Sequence, residues 1–172
     1  MFYTAVVCRA FLGFVFLASA CGKLRGRAAF GEFADGLAAL RVVPAGRVRP
    51  VAMVVAGAEA VVPVLLIVPA SAAAGLTLAV LLLGAFTLAV GVVLWRGTVA
   101  SCPCFGASRT AFGVRHVVRN VVLTVVGAVG LATVGGGSGR VAGVLLAALT
   151  GAVLASLIIR LDDIVALFAL PN

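Results

Sequence analysis

Cys102 and Cys104 flank Pro103 in SCPCFGASRT at 101–110, a short stretch between two of the most apolar runs of the chain. Thiols at i and i+2 can reach the roughly 4.4–6.8 Å Cα separation of a disulfide, but the small ring is strained. A strained disulfide is readily reduced, and such bonds tend to be labile and catalytic. Pro103 fixes φ and removes a donor, which helps hold a turn; Gly106 permits backbone conformations that other residues resist. Arg96, Arg109 and Arg115 surround the pair with positive charge, which favours thiolate. The neighbouring thiol is Cys21, which ends the first apolar run and can form a mixed disulfide with Cys102 or Cys104 if it lies on the same membrane side. Cys8 lies about 20 Å earlier along a helix and reads best as a small buried hydrophobe. Cys21, Cys102, Cys104 and His116 nominally supply a Cys3His zinc set. The C-x-C spacing is tighter than the usual two to four intervening residues, so no metal site is expected.

These thiols have to be positioned by membrane elements. Of the 172 residues 64% are hydrophobic and only 10% charged, too little polar surface for a soluble domain. Runs at 2–21, 51–70, 72–95, 117–134 and 141–159 are each about long enough to cross a ~30 Å hydrocarbon core. The expectation is an all-α, polytopic membrane bundle of five spans in a single domain over 1–172. Pro63 and Pro69 should kink or end the second span, and Gly135 to Ser138 signals the last turn. Between the first two spans Phe30, Phe33, Leu37 and Leu40 recur at steps of three and four, which predicts an interfacial helix near 27–41 lying flat on the membrane. The net charge of +8 raises the question of nucleic acid. The basic residues lie mostly between apolar runs and no basic patch is interleaved with aromatics, so membrane lipid is the expected partner and nucleic acid is not.

Charge also sets topology. Lys23, Arg25, Arg27, Arg41, Arg47, Arg49, Arg96, Arg109 and Arg115 share one side of a five-span arrangement, whereas Arg140 is on the other. The positive-inside rule then puts the Cys102/Cys104 loop in the cytoplasm and the N-terminus outside. Arg9 and Glu59 lie within spans, where ionised groups are costly and face the bundle interior or a partner. Their depths differ by about 5 Å, which predicts an Arg9–Glu59 ion pair tying two spans together. A proton-handling or quinone-site role for Glu59 is the sharper alternative. Arg119 is expected to snorkel towards headgroups, and Asn120 to hydrogen-bond a neighbouring helix.

Arg9 with FLGFVFLASACGKL at 11–24, Pro44, Glu59, CPCFG at 102–106 and RN at 119–120 form a pattern that resembles the MauE family of methylamine-utilisation membrane proteins, part of the wider DoxX-like group. The resemblance runs from about 5 to 135, with one departure: the family's usual Cys-Gly-Cys-Phe-Gly has Pro103 here. It implies a DoxX-like four-helix core, to which the fifth span is added, in a bacterial cell membrane. It also implies a redox-associated protein that helps mature a disulfide-rich dehydrogenase subunit beside a thioredoxin-like partner. Cys102 and Cys104 would be the active pair, with Cys21 as relay and Arg9, Glu59, Phe105, Gly106, Arg119 and Asn120 in support. The leading function is therefore membrane thiol-disulfide exchange, with a quinone as one possible electron acceptor. A non-catalytic assembly factor and a small-molecule transporter are the alternatives.

Overall fold

The computed structural model describes residues 1–95 and 114–160. Within them every element is helical: α1 Phe2–Leu24, α2 Arg27–Ala39, α3 Val48–Ile67, α4 Ala72–Trp95, α5 Val114–Thr133 and α6 Val141–Ile159. Four segments are long and apolar enough to cross a membrane, Phe2–Leu24, Ala45–Ile67, Pro69–Val93 and Val141–Ile159. Where a span at 117–134 is expected the structure has the helix α5, whose apolar part, Val117–Thr133, is shorter than these four. Arg119 and Asn120 in its first half bring the local hydropathy down.

α1 is the hub, touching each of the other five helices. Its buried positions include Ala5, Cys8, Leu12, Val15, Ser19 and Lys23, which recur at steps of three and four and so form one stripe along the helix. Phe11, Leu12, Val15 and Phe16 join Val62 and Leu66 of α3, Leu76, Ala79 and Leu83 of α4, Leu123 of α5 and Ala155 of α6 in the main core. With lipid outside as apolar as the core inside, close packing decides which faces meet.

Small residues set the α1–α6 contact. Gly143, Ala147, Gly151 and Ala155 recur every fourth position, and the buried residues of α6 are Ala147, Gly151 and Ala155. A Cβ at Gly151 would stand 2.7 Å from the Val7 carbonyl oxygen and 2.9 Å from the Phe11 backbone nitrogen. Only a hydrogen at that position lets the two backbones cross so closely. The opposite side of α6 presents Leu145, Leu146, Leu149 and Val153 outward, as a lipid-facing surface should.

α2 forms where the amphipathic pattern predicts it, but its apolar side is occupied. Phe33, Ala34 and Leu37 pack with Val48 and Ala52 of α3 and Val93 of α4, while Glu32 and Asp35 are exposed. The helix thus lies over one end of the bundle and spends its apolar face on protein contacts instead of on lipid. It terminates through Arg41, whose φ of 51° is in the left-handed region that ordinarily favours glycine.

Two of the boundaries that differ from the sequence expectation matter for the site. α1 continues to Leu24, beyond the expected end at Cys21, which carries Lys23 into the helix. α3 ends at Ile67; Val68 is extended, and Pro69 opens a short 3₁₀ turn, Pro69–Ser71, leading into α4. Pro63 is accommodated inside α3.

Candidate functional site

Lys23 and Glu59 form the buried polar centre of the bundle. Lys23 Nζ donates to Glu59 Oε1 at 2.7 Å and Oε2 at 2.5 Å, and to Ser19 Oγ at 2.7 Å. Ser19 Oγ in turn donates to Glu59 Oε2 at 3.0 Å, which closes a three-membered ring of hydrogen bonds. The two charged side chains are only 3% and 2% exposed, so each would be untenable without the other. Phe33 of α2 lies 4.7 Å from the ammonium by ring centroid and Phe86 of α4 5.7 Å, so the ring faces supply negative electrostatic potential to the same cation. One lysine thus connects α1, α2, α3 and α4.

Local sequence explains the arrangement. Ser19 and Lys23 are i and i+4 and therefore stack on one face of α1. Glu59 sits on the inner stripe of α3 that includes Ala52, Ala56, Val62 and Leu66. Pro63 lacks the N–H that would bond the Glu59 carbonyl, so α3 continues with one ladder bond missing beside its only carboxylate. Lys23 is the member of this polar cluster missing from the expected set. The signal for it was present: it continues the three-and-four stripe of α1, but its charge assigned it to the following loop.

The expected Arg9–Glu59 pair is not formed. Arg9 Nε and Nη2 donate to the Leu66 carbonyl at 3.0 and 2.6 Å, and Nη2 also donates to the Ile67 carbonyl at 3.1 Å. These are terminal carbonyls of α3, left without intrahelical partners and carrying the negative end of the helix dipole. Ser71 Oγ donates to the Leu65 carbonyl at 2.9 Å, completing the cap on the same turn. The guanidinium therefore satisfies a helix end about 10 Å along α3 from Glu59, a site that depth counting cannot reveal.

Arg119 is also placed differently: it is 7% exposed, on the face of α5 that continues through Leu123, instead of reaching for headgroups. Asn120 is half-buried, and its carbonyl accepts from Thr124 Oγ1 at 2.7 Å. Cys8 is buried, as expected for a small hydrophobe, against the α5 backbone at Gly130. Cys21 is a free, exposed thiol two residues before Lys23. Cys102, Cys104, Phe105 and Gly106 lie outside the described residues. Their segment, 96–113, connects the end of α4 to the start of α5. The end of α4 packs under α2 through Val93, so this connection departs from the same end of the bundle as Cys21. Among the described residues no cluster of His, Cys, Asp and Glu suitable for a metal ion is present.

These features define a polytopic, all-helical membrane protein with a closed ionic lock at the end of the bundle that α2 covers. The chain belongs to the MauE family: the family model described as "Methylamine utilisation protein MauE" matches residues 1–133. That match ends with α5, and α6 lies beyond it. Comparisons with curated proteins and with solved structures give no match.

Proposed function

We propose that this protein is a membrane thiol-disulfide oxidoreductase that exchanges electrons with a thioredoxin-like partner through Cys102 and Cys104, in the setting of methylamine utilisation. The observation that carries the reading is the position of Cys21 at the end of the bundle where α4 finishes. The free, exposed Cys21 of α1 sits at the end from which the segment bearing Cys102 and Cys104 leaves α4. Membership of the MauE family supports it independently.

In the exchange, one thiolate of the pair attacks a partner disulfide, a mixed disulfide forms and a partner thiolate leaves. The second cysteine then attacks the mixed disulfide. Two electrons and two protons pass from the dithiol to the partner, leaving Cys102 and Cys104 oxidised. Attack by Cys21 thiolate on that disulfide gives a Cys21 mixed disulfide and releases one thiol of the pair; a second, reduced thioredoxin-like dithiol then attacks the mixed disulfide, takes the disulfide onto itself and restores the thiols, which makes Cys21 a relay. Maturation of a disulfide-rich exported enzyme is the task this chemistry suits. Lys23 and Glu59 have a positioning role: they hold α1, and with it Cys21, against α3 and beneath α2.

Charge supports a cytoplasmic position for this end. Arg25, Arg27, Arg41, Arg47 and Arg49 are exposed there, even after Lys23 is removed from the count, and the positive-inside rule assigns such an end to the cytosol. The pair would then be charged with electrons from the reducing side. Impermeant maleimide applied to intact cells should label Cys102 and Cys104 only after lysis; labelling before lysis reverses the direction of electron flow.

The decisive test is trapping. Single variants Cys102→Ala and Cys104→Ala should differ, one accumulating a mixed disulfide with a thioredoxin-fold protein. The double variant Cys102→Ser/Cys104→Ser should abolish client maturation; full retention of maturation makes the protein a non-catalytic assembly factor.

A further inference from the structure

At the end of the bundle opposite Cys21, a cleft of about 470 Å³ opens between α1, the last turns of α3 and the first turn of α6. Its walls are apolar: Ala10, Gly13 and Phe14 of α1, Pro63 and Ile67 of α3, and Val144 of α6. Arg9 alone among its lining residues carries charge. Phe14, Leu17 and Ile67 at its rim are 49%, 46% and 77% exposed, and in a membrane-spanning bundle such apolar outer surfaces meet lipid. The cleft therefore opens sideways, towards the acyl chains, and not into a water-filled path.

Arg9 is only partly used. Its Nε and Nη2 cap the α3 carbonyls, which leaves the two N–H groups of Nη1 without an acceptor among the described residues. Its positive charge is also unmatched among the described residues: Glu59 is engaged by Lys23, and Glu32 and Asp35 are on α2 at the other end. A guanidinium at the membrane interface with a free pair of donors and no carboxylate is suited to a phosphate oxygen. Arg9 is level with the end of α3, where the helix stops at Ile67 and the chain turns at Pro69, while Phe2 and Val6 carry the apolar wall of α1 further towards its N-terminus.

We propose that this cleft is a binding site for one anionic phospholipid, its phosphate at Arg9 Nη1 and an acyl chain along Gly13 and Pro63. Charge complementarity selects the occupant. A neutral amphiphile would leave the cation uncompensated, and a peptide would bring backbone polar groups that these apolar walls cannot satisfy. Val144 of α6 completes one wall from beyond the family match, whereas the other lining residues fall within it. The lipid would join α1, α3 and α6 at the end where the Lys23–Glu59 lock does not reach.

Gly13 separates this role from the helix cap. A Cβ there meets only Leu66 Cδ1, at 4.0 Å, so Gly13→Leu fills the cleft while Arg9 keeps its carbonyls. Native mass spectrometry of the purified full-length protein, titrated with phosphatidylglycerol or phosphatidylcholine of matched chains, reads the site directly. The wild type should retain one phosphatidylglycerol with about tenfold preference, because both headgroups offer a phosphate oxygen but choline brings a second cation beside the guanidinium. Arg9→Gln should remove the preference, and Gly13→Leu should lower phosphatidylglycerol retention by about tenfold at an unchanged unfolding temperature. Equal retention of both lipids by the wild type overturns the proposal without reference to any variant. Undiminished binding by Gly13→Leu, or stoichiometric displacement of the phospholipid by an isoprenoid quinone, overturns it as well.

Discussion

At the scale of residues, the Lys23–Glu59 pair is costly to halve and cheap to remove whole. Glu59→Gln leaves the Lys23 ammonium buried with an amide oxygen as its strongest acceptor, and Lys23→Met leaves the carboxylate with a single serine hydroxyl. Each single change should destabilise the protein by about 3–5 kcal/mol, whereas Lys23→Met/Glu59→Leu should be close to neutral because neither charge remains. Chemical denaturation of the detergent-solubilised protein measures all three. If the double variant retains thiol exchange, the pair is structural; loss of exchange at normal stability assigns Glu59 a part in the chemistry. Arg41 offers an independent check on geometry. Its left-handed backbone is unfavourable for an L residue with a Cβ, so Arg41→Gly should raise stability by about 0.5–1 kcal/mol after the greater freedom of glycine in the unfolded chain is deducted.

At the scale of elements, the tightest tolerance is the α1–α6 crossing. Gly151→Ala puts a methyl against the Val7 carbonyl and the Phe11 backbone nitrogen, which cannot step aside as a side chain can. A loss of about 1–3 kcal/mol, the range for overpacking, should appear as a lower unfolding temperature. Gly84→Ala in α4, where a Cβ meets nothing within 4 Å, should leave that temperature unchanged or raise it. The α3–α4 turn depends on Arg9 in a different way. Arg9→Lys keeps the charge but loses the planar fork that spans two carbonyls, so it should weaken the cap and destabilise the turn.

At the scale of the whole molecule, the two described thiols report on the fold and on its polarity. In a Cys102→Ser/Cys104→Ser background, Cys21 should react with maleimide in the folded protein, and Cys8 only on unfolding, because it is 5% exposed between α1 and α5. Equal reactivity of both would refute the packing of α1 at the centre. The two ends of the bundle are specialised by different chemistry: the thiol-bearing end is closed by α2 over an internal ion pair, whereas the other end has a capping arginine with charge to spare. α6 adds to this polarity by sealing one side of α1 through small residues and completing a cleft that opens to lipid.

The helical membrane architecture was legible in the sequence because uncharged runs of bilayer length have few other stable fates. The amphipathic segment before α3 was legible for a similar reason, as periodicity reports that a helix has one apolar face. Periodicity does not report what covers that face, and the structure assigns Phe33 and Leu37 to the bundle's own end. The charges were the least legible part. Sequence identified Arg9 and Glu59 as groups needing partners, but a depth difference of a few ångströms along each helix does not distinguish a carboxylate from a row of terminal carbonyls. Lys23 sits within four residues of the expected span end, where a long side chain can point outward to headgroups or inward to Glu59 with no change in composition. That choice depends on helix rotation and on Phe33 arriving from α2 and Phe86 from α4. Tertiary structure decided it because a buried charge is tolerated only where several separate elements supply its partners together.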